Sequence, residues 1–118
     1  MKYMTFTKEQ EKTIQKKLYD IMNLVVKLND QYDDGTSIFM SYYGNNDPGD
    51  KIYSLDISVH EGGLTYNGPN GSLSNPTYKL ACSIYTKRLI CYDKDINELF
   101  ERDCAKLDEV FETISKIK

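Results

Sequence analysis

Apolar residues recur at helical spacing in two long segments, one near each end of the chain. In the first segment the apolar positions are Ile14, Leu18, Ile21, Met22, Val25, Leu28 and Tyr32. In the second they are Ile96, Leu99, Phe100, Leu107, Val110, Phe111, Ile114 and Ile117. A repeat of three and four residues predicts two amphipathic helices, each with one buried face.

Residues that favour helix ends flank both segments. Thr7, with Gln10 three residues later, has the form of a capping box. The Asp-Asp-Gly sequence at 33–35 predicts the end of the first helix, with its glycine in the left-handed conformation. Asp95, with Glu98 at the third helical position, predicts the start of the second helix.

The apolar arc of the first helix is broader than a surface helix requires. Tyr19, Leu24 and Val26 widen it beyond half of the circumference, whereas about 100° is enough for a helix that packs on one side. We therefore expect this helix to be covered on two sides, by a sheet and by the other helix or a second subunit.

The segment between the helices begins with two alternating runs, which predict strands. The runs Ile38–Tyr43 and Tyr53–Val59 flank a turn at Gly44–Asp50, so they predict a hairpin. The polar positions of the second run are Ser54, Asp56 and Ser58. They indicate that one face of the sheet is wet and that only the other face is covered.

Further strands are predicted after this hairpin. Leu64–Tyr66 is a short candidate strand, and residues 67–76 (NGPNGSLSNP) have the composition of a loop. Thr77–Tyr85 and Leu89–Tyr92 predict a second hairpin around Thr86-Lys87.

These elements predict an α+β fold. The 118 residues suit a single domain that spans residues 1–118. It consists of an N-terminal helix, an antiparallel sheet of three to five strands and a C-terminal helix, with both helices on one sheet face.

Composition excludes several classes of function. The chain is 40% hydrophobic and 12% aromatic, and its net charge is −3. Such a chain has no basic excess for direct binding of duplex nucleic acid. It also has no apolar run long enough to enter a membrane and no signal-peptide pattern. The three cysteines show no CxxC spacing, which is typical of a reduced, cytoplasmic protein.

No residue pattern predicts catalysis, a cofactor or a metal site. His60 is the sole histidine, and its place just past a strand end suggests an exposed turn residue. A Cys3His zinc site could be counted from Cys82, Cys91, Cys104 and His60, but structural zinc ligands usually come in close pairs. We predict no catalytic residue, no cofactor and no metal ligand.

The second helix carries a stripe of acidic residues opposite its apolar face. The members are Glu98, Glu101, Asp108, Glu109 and Glu112. Spread over about 21 Å, they are too dilute for mimicry of duplex DNA, which carries one charge per about 1.7 Å. Asp103 lies within the apolar stripe instead, so we predict that it has a polar partner or a subunit contact.

Ten tyrosines and the absence of catalytic motifs favour a binding function. Tyr42 and Tyr43 are adjacent, so they point to opposite faces of their strand. The candidate binding residues are Tyr42, Tyr43, Tyr66, Asn67, Asn70, Glu101, Asp108 and Glu112. Tyrosines supply large rigid contact areas with one polar end.

The leading hypothesis is a small, acidic, non-catalytic protein that binds a macromolecular partner, most simply another protein, in the cytosol. Immunity proteins and phage-borne inhibitors of bacterial defence systems are analogous in size and charge. A homodimer is compatible with this hypothesis. The alternative is a binder of a small, nucleotide-like ligand at residues 67–76 and the nearby tyrosines. An enzyme that uses Asp56, His60 or Glu61 is the least favoured interpretation.

Overall fold

A four-stranded antiparallel sheet with two long helices on one face forms the body of the protein. The computed structural model describes residues 2–33, 35–46, 51–61, 66–67, 72–73, 77–90 and 95–117. The strands are β1 (Lys2–Thr5), β2 (Ser37–Asn46), β3 (Lys51–His60), β4 (Tyr66–Asn67), β5 (Ser72–Leu73) and β6 (Tyr78–Ile90). The helices are α1 (Lys8–Gln31) and α2 (Ile96–Ser115). The predicted α+β class and layout are confirmed.

The strand order in the sheet is β1-β6-β3-β2, and every neighbouring pair is antiparallel. β2 and β3 form the predicted hairpin, and they pair over their whole length without a register shift. β1 pairs only with the far end of β6, at residues 87–90. β4 and β5 form a separate two-stranded ribbon.

The core lies between the sheet and the two helices. Its buried residues include Leu55, Ile57 and Val59 of β3, Ile84 of β6, Ile14, Leu18, Ile21 and Val25 of α1, and Leu99, Leu107, Val110 and Ile114 of α2. The contacts between the helices show their relative direction, because both residue numbers increase from one contact to the next. Gln10 Nε2 donates to Asn97 Oδ1 at 3.0 Å, and Lys17 Nζ meets Asp108 Oδ1 at 2.6 Å. The two helices therefore run parallel to each other.

The helix ends largely follow the sequence predictions. Thr7 Oγ1 accepts from the N–H of Gln10 at 3.1 Å and Gln10 Oε1 accepts from the N–H of Thr7 at 3.0 Å, so the capping box is confirmed. Gly35 has a φ of 90°, which is the left-handed conformation predicted for it, but α1 ends at Gln31 with Tyr32 as its C-cap, so Gly35 lies beyond the C′ position. Asp95 caps α2, but its carboxylate accepts from the N–H of Asn97 rather than forming a box with Glu98.

The prediction of a second hairpin is wrong. β6 continues as one strand from Tyr78 to Ile90, straight through Thr86-Lys87. Thr86 is buried, and its carbonyl accepts a bond from the N–H of Phe6 at 2.7 Å. The strand stays extended because β1 pairs with its second half, and that strand was not predicted from the sequence.

The predicted loop at 67–76 contains strand residues. Asn67 belongs to β4, while Ser72 and Leu73 form β5. The predicted strand at 64–66 is met only at Tyr66, since residues 64 and 65 lie outside the described part of the chain. Of the predicted turn at 44–50, Gly44–Asn46 belong to β2 and residues 47–50 lie outside the described residues.

The structure tests the predicted burial of Phe111 and the predicted polar partner of Asp103, both on α2. Phe111 was predicted to be buried but is 38% exposed. It lines a groove between the helices with Lys17 and Leu107, so it faces α1 and solvent rather than the sheet. Asp103 is buried as its position on the apolar stripe requires, and its Oδ1 lies 3.8 Å from Arg102 Nε. The predicted polar partner of Asp103 is thus confirmed.

Candidate functional site

The outer side of β2 is an open sheet edge. The side-chain amide of Asn29, on α1, accepts from the N–H of Ile38 and donates to its carbonyl, both at 2.9 Å. The backbone groups of Ile38 therefore point away from β3. Because this direction alternates along an antiparallel strand, those of Met40, Tyr42 and Gly44 point outward too. Among the described residues, no strand pairs with this side of β2.

Large apolar side chains flank the open edge, and we call this surface the aromatic edge. It consists of Phe39, Tyr42 and Tyr43 of β2 with Tyr19 and Val26 of α1. These five side chains are between 43% and 67% exposed, which amounts to roughly 400–500 Å² of side-chain surface. Phe39 and Tyr43 lie on the open face of the sheet, and Tyr42 lies on the face that carries the helices, so apolar side chains flank the edge on both faces.

The helical part of the aromatic edge follows from the spacing along α1. Val26 lies three residues before Asn29 and seven after Tyr19, so the three side chains share one side of the helix. Asn29 contacts β2 directly, so that side of α1 adjoins β2. The broad apolar arc noted in the sequence is thus covered by the sheet and by α2, while its Tyr19 and Val26 margin remains exposed.

Beyond Ile38, whose backbone groups are bonded to Asn29, the described part of the edge lacks the usual protection against strand pairing. Natural edge strands are commonly blocked by lysine, proline or a bulge. The β2 sequence SIFMSYYGNN has no charge and no proline, and its pairing has no bulge. The outer side of β6 differs, because Lys79 lies on that strand and Lys106 and Glu109 of α2 flank it. An unblocked edge with exposed aromatic residues is a surface suited to a partner.

A polar network holds the aromatic edge against α1. The Tyr53 hydroxyl donates to Glu11 Oε1 at 2.7 Å and accepts from Gln15 Nε2 at 3.1 Å. Lys51 forms an ion pair with the same Glu11 oxygen. The Tyr53 ring is stacked with that of Tyr42, with 6.3 Å between centroids and an 18° interplanar angle. Tyr42 is therefore placed by its neighbours before any partner arrives.

The network shifts the pKa values of its members. The hydrogen bond from Lys51 lowers the pKa of the Glu11 carboxyl, against the opposing effect of burial. The same bond raises the pKa of the Lys51 ammonium. Burial raises the pKa of the Tyr42 hydroxyl, and the neighbouring Tyr53 adds to this rise. Glu11 and Lys51 are thus held in their charged forms, while Tyr42 is held neutral.

Glu11→Gln is expected to lower the free energy of unfolding by about 1 kcal/mol at neutral pH. A depressed pKa stabilises the fold above the ordinary carboxyl value of 4.5, and this stabilisation is lost as pH falls through the folded-state pKa. The difference between wild type and variant should therefore shrink below pH 4.5. Denaturant titrations at several pH values measure it, with Glu9→Gln as the control. A difference that stays constant down to acid pH would contradict the role given to Glu11.

The open face of the sheet carries a trough beside the aromatic edge. Ser41, Asp56 and Ala81 lie opposite one another on β2, β3 and β6 and form a row of side chains along its floor. The cavity measures about 410 Å³, with Phe39 and Lys79 also in its lining. Asp56 is exposed, and its carboxylate forms no hydrogen bond or ion pair with the described residues.

His60 is not the exposed turn residue that the sequence suggested. It is the last residue of β3 and is buried, with the Phe39 ring edge-on at 5.5 Å between centroids. Among the described residues, its Nδ1 has no hydrogen-bond partner. Ser54, predicted on a wet face, is also buried, and its hydroxyl lies 3.1 Å from that of Ser83. Only Asp56 among the three predicted polar positions is fully on the surface.

The predicted acidic residues of α2 lie apart from the aromatic edge and are partly neutralised. Asp108 pairs with Lys17 at 2.6 Å and Glu112 with Lys116 at 3.5 Å, while Glu101 is exposed. α2 contacts α1 and β6, whereas α1 contacts β2. The structure therefore places Tyr42 and Tyr43 on opposite faces of β2 and joins neither of them to the acidic stripe.

The other predicted binding residues lie in or beside stretches of the chain that the structure does not describe. Tyr66 and Asn67 are seen as backbone in β4, and Asn70 lies outside the described residues. Sequence reasoning missed Phe39, Tyr19 and Val26 as parts of a surface. The signal for Tyr19 and Val26 was the excess width of the apolar arc on the first helix.

Within the described ranges, no three histidine, cysteine or acidic residues are grouped to hold a metal ion. Cys82 is buried and Cys104 half-buried, and burial raises the pKa of both thiols. Cys91 lies outside the described residues. No described helix combines the length and apolar character that crossing a membrane requires.

No family model, curated protein or solved structure matches this chain.

Proposed function

We propose that this chain is a small, non-catalytic binding protein that holds a partner protein at the aromatic edge. The observation that carries the proposal is the open outer side of β2. At Met40, Tyr42 and Gly44 the backbone N–H and C=O groups point outward, and no lysine, proline or bulge of β2 blocks them. The occupant is an extended segment of the partner, which pairs with β2 as an additional strand. In such complexes the backbone bonds supply affinity and the side chains supply specificity.

A protein partner suits this surface better than a nucleic acid. Binding of single strands combines stacking tyrosines with a basic groove, but the net charge here is −3. Lys51, the lysine of the network beside Tyr42, is already paired with Glu11. A segment that supplies backbone donors and acceptors matches an edge whose open groups are themselves N–H and C=O.

The acidic stripe of α2 is a weaker docking surface than the aromatic edge. Its carboxylates are interleaved with Arg102, Lys106 and Lys116, and exposed ion pairs add little binding energy. Glu101, Asp108 and Glu112 are given the subsidiary role of speeding association through long-range charge.

Two finer elements of the proposal rest on the sequence. Reduced thiols such as Cys82 and Cys104 favour the cytosol as the site of action. Inhibitors of the immunity or phage anti-defence type are the functional analogy in size and charge. The alternative, a nucleotide-like ligand at residues 67–76, depends on side chains outside the description.

A selection from a random peptide library displayed against the immobilised full chain tests the proposal. We expect enrichment of peptides that alternate apolar and polar residues and that bind through β2. Tyr43→Ala should weaken the selected peptides at least fivefold, since Tyr43 is the most exposed aromatic residue of β2. Ser115→Ala, at an exposed position of the far helix, is the control and should change their affinity less than twofold.

Two outcomes would overturn the proposal. One is a selection that enriches only peptides insensitive to Tyr43→Ala. The other is a dimer of the chain alone in sedimentation that dissociates when Tyr43 is replaced, which would make a second copy the occupant of the edge.

A further inference from the structure

The trough on the open sheet face ends at the aromatic edge. Its row consists of Ser41, Asp56 and Ala81, and the small side chains of Ser41 and Ala81 keep its floor low. Phe39 and Tyr43, two residues before and after Ser41, project from the same face. The entrance to the trough from the β2 edge therefore runs between two exposed aromatic rings.

The position opposite Ser41 on an added strand controls access to the trough. Ser41 directs its own backbone groups toward β3, so it would form a non-hydrogen-bonded pair with the new strand. Side chains are closest in such pairs. Neighbouring strands lie about 4.8 Å apart, so Asp56, one strand further in, is in reach only of a long side chain that passes over Ser41.

The charge at the end of this path is an unpaired carboxylate. Asp56 is exposed, and its carboxylate has no hydrogen bond or ion pair among the described residues. Lys79 also lines the cavity, but it lies in the next row, opposite Ser58. An anionic side chain approaching Lys79 from the β2 edge would have to pass over Phe39, which heads that row.

We infer that the strand that docks on β2 carries an arginine opposite Ser41, with its guanidinium at Asp56. This inference rests on the proposed function, because only a strand paired with β2 presents a side chain to the trough. The planar guanidinium pairs with a carboxylate through two bonds and stacks on aromatic rings. Phe39 and Tyr43 supply such rings on either side of the path.

The trough also discriminates against a second copy of the chain. The open positions Met40, Tyr42 and Gly44 would centre a two-fold axis on Tyr42. Each copy would then place its own Tyr43 opposite Ser41 of the other. Tyrosine brings no cation to Asp56, and β2 contains no arginine or lysine.

Three synthetic peptides test the inference on the full chain. Each has the sequence Thr-Val-Thr-X-Thr-Val-Thr with blocked ends, where X is arginine, glutamine or glutamate. Titration to millimolar concentration is followed by the amide NMR shifts of β2. We expect the arginine peptide to bind at least fivefold more tightly than the glutamine peptide, and the glutamate peptide to bind most weakly.

Charge-swap variants identify the residue that binds the arginine of the peptide. Asp56→Asn should remove the preference for arginine, and Asp56→Lys should reverse it in favour of glutamate. Glu61→Lys is the matched control, because it makes the same charge change at an exposed position just past the end of β3. It should leave the order of the three peptides unchanged.

The outcomes separate this inference from the proposed function. Equal affinities for the three peptides, with shifts at β2, would overturn the role of Asp56 while supporting strand addition. The same holds if Glu61→Lys reverses the order as Asp56→Lys does. Absence of shifts at β2 with every peptide would overturn both the inference and the proposed function.

Discussion

Leu107→Ala is expected to lower the free energy of unfolding by about 3–5 kcal/mol. Leu107 is fully buried at the centre of α2, against the sheet and α1. Its truncation loses the transfer energy of the removed atoms and leaves a cavity that the core only partly fills. Phe111→Ala removes more atoms, but Phe111 is 38% exposed, so its loss should cost only about 1–2 kcal/mol.

Denaturant titration of the two variants measures this contrast. Leu107 and Phe111 lie four residues apart on one helix, so each serves as the control for the other. A larger loss for Phe111→Ala than for Leu107→Ala would mean that α2 is rotated about its axis relative to the arrangement described above. Equal losses would contradict the placement of Phe111 in an open groove.

Gly44→Pro is expected to weaken β2-dependent peptide binding at least tenfold. The N–H of Gly44 points outward, so proline removes a donor for the added strand without removing a bond to β3. Proline is tolerated in edge strands at such positions. A strand that loses one terminal bond and meets the proline ring at the edge should dissociate faster.

Gly44→Ala is the matched control, because it adds a side chain and keeps the N–H. A Cβ at this position would lie 3.5 Å from the Tyr42 hydroxyl and 3.6 Å from the Ile52 carbonyl, which are ordinary contacts. We expect less than a twofold change in peptide affinity for this variant. Equal weakening by alanine and proline, with both variants folded, would show that the backbone donor is not used.

Local patterns in the sequence predicted the parts of the fold that depend on near neighbours. The capping box at Thr7 and Gln10 and the hairpin of β2 and β3 depend on residues close in the chain, and both are confirmed. The continuous β6 depends instead on β1, which lies more than 80 residues away in sequence. Nothing around Thr86 indicates that distant pairing, so the local turn signal was misleading.

The candidate site shows the same division. The alternation of Tyr42 and Tyr43 followed from strand geometry, and both side chains are exposed. That β2 lies at an edge depends on the strand order, which pattern alone does not reveal. A helical wheel likewise shows how wide an apolar arc is but not which margin meets solvent. For this reason the sequence showed that Tyr19 widens the apolar arc but not that it is exposed, and it wrongly predicted that Phe111 is buried.

Amide hydrogen exchange on β2 tests strand addition most directly. In the protein alone, the amides of Met40, Tyr42 and Gly44 point outward and should exchange quickly, whereas those of Ser41 and Tyr43 are bonded to β3 and should exchange slowly. Addition of a selected peptide should slow Met40, Tyr42 and Gly44 at least tenfold and leave the alternate amides little changed. Unchanged exchange at those three amides in the saturated complex would contradict the account.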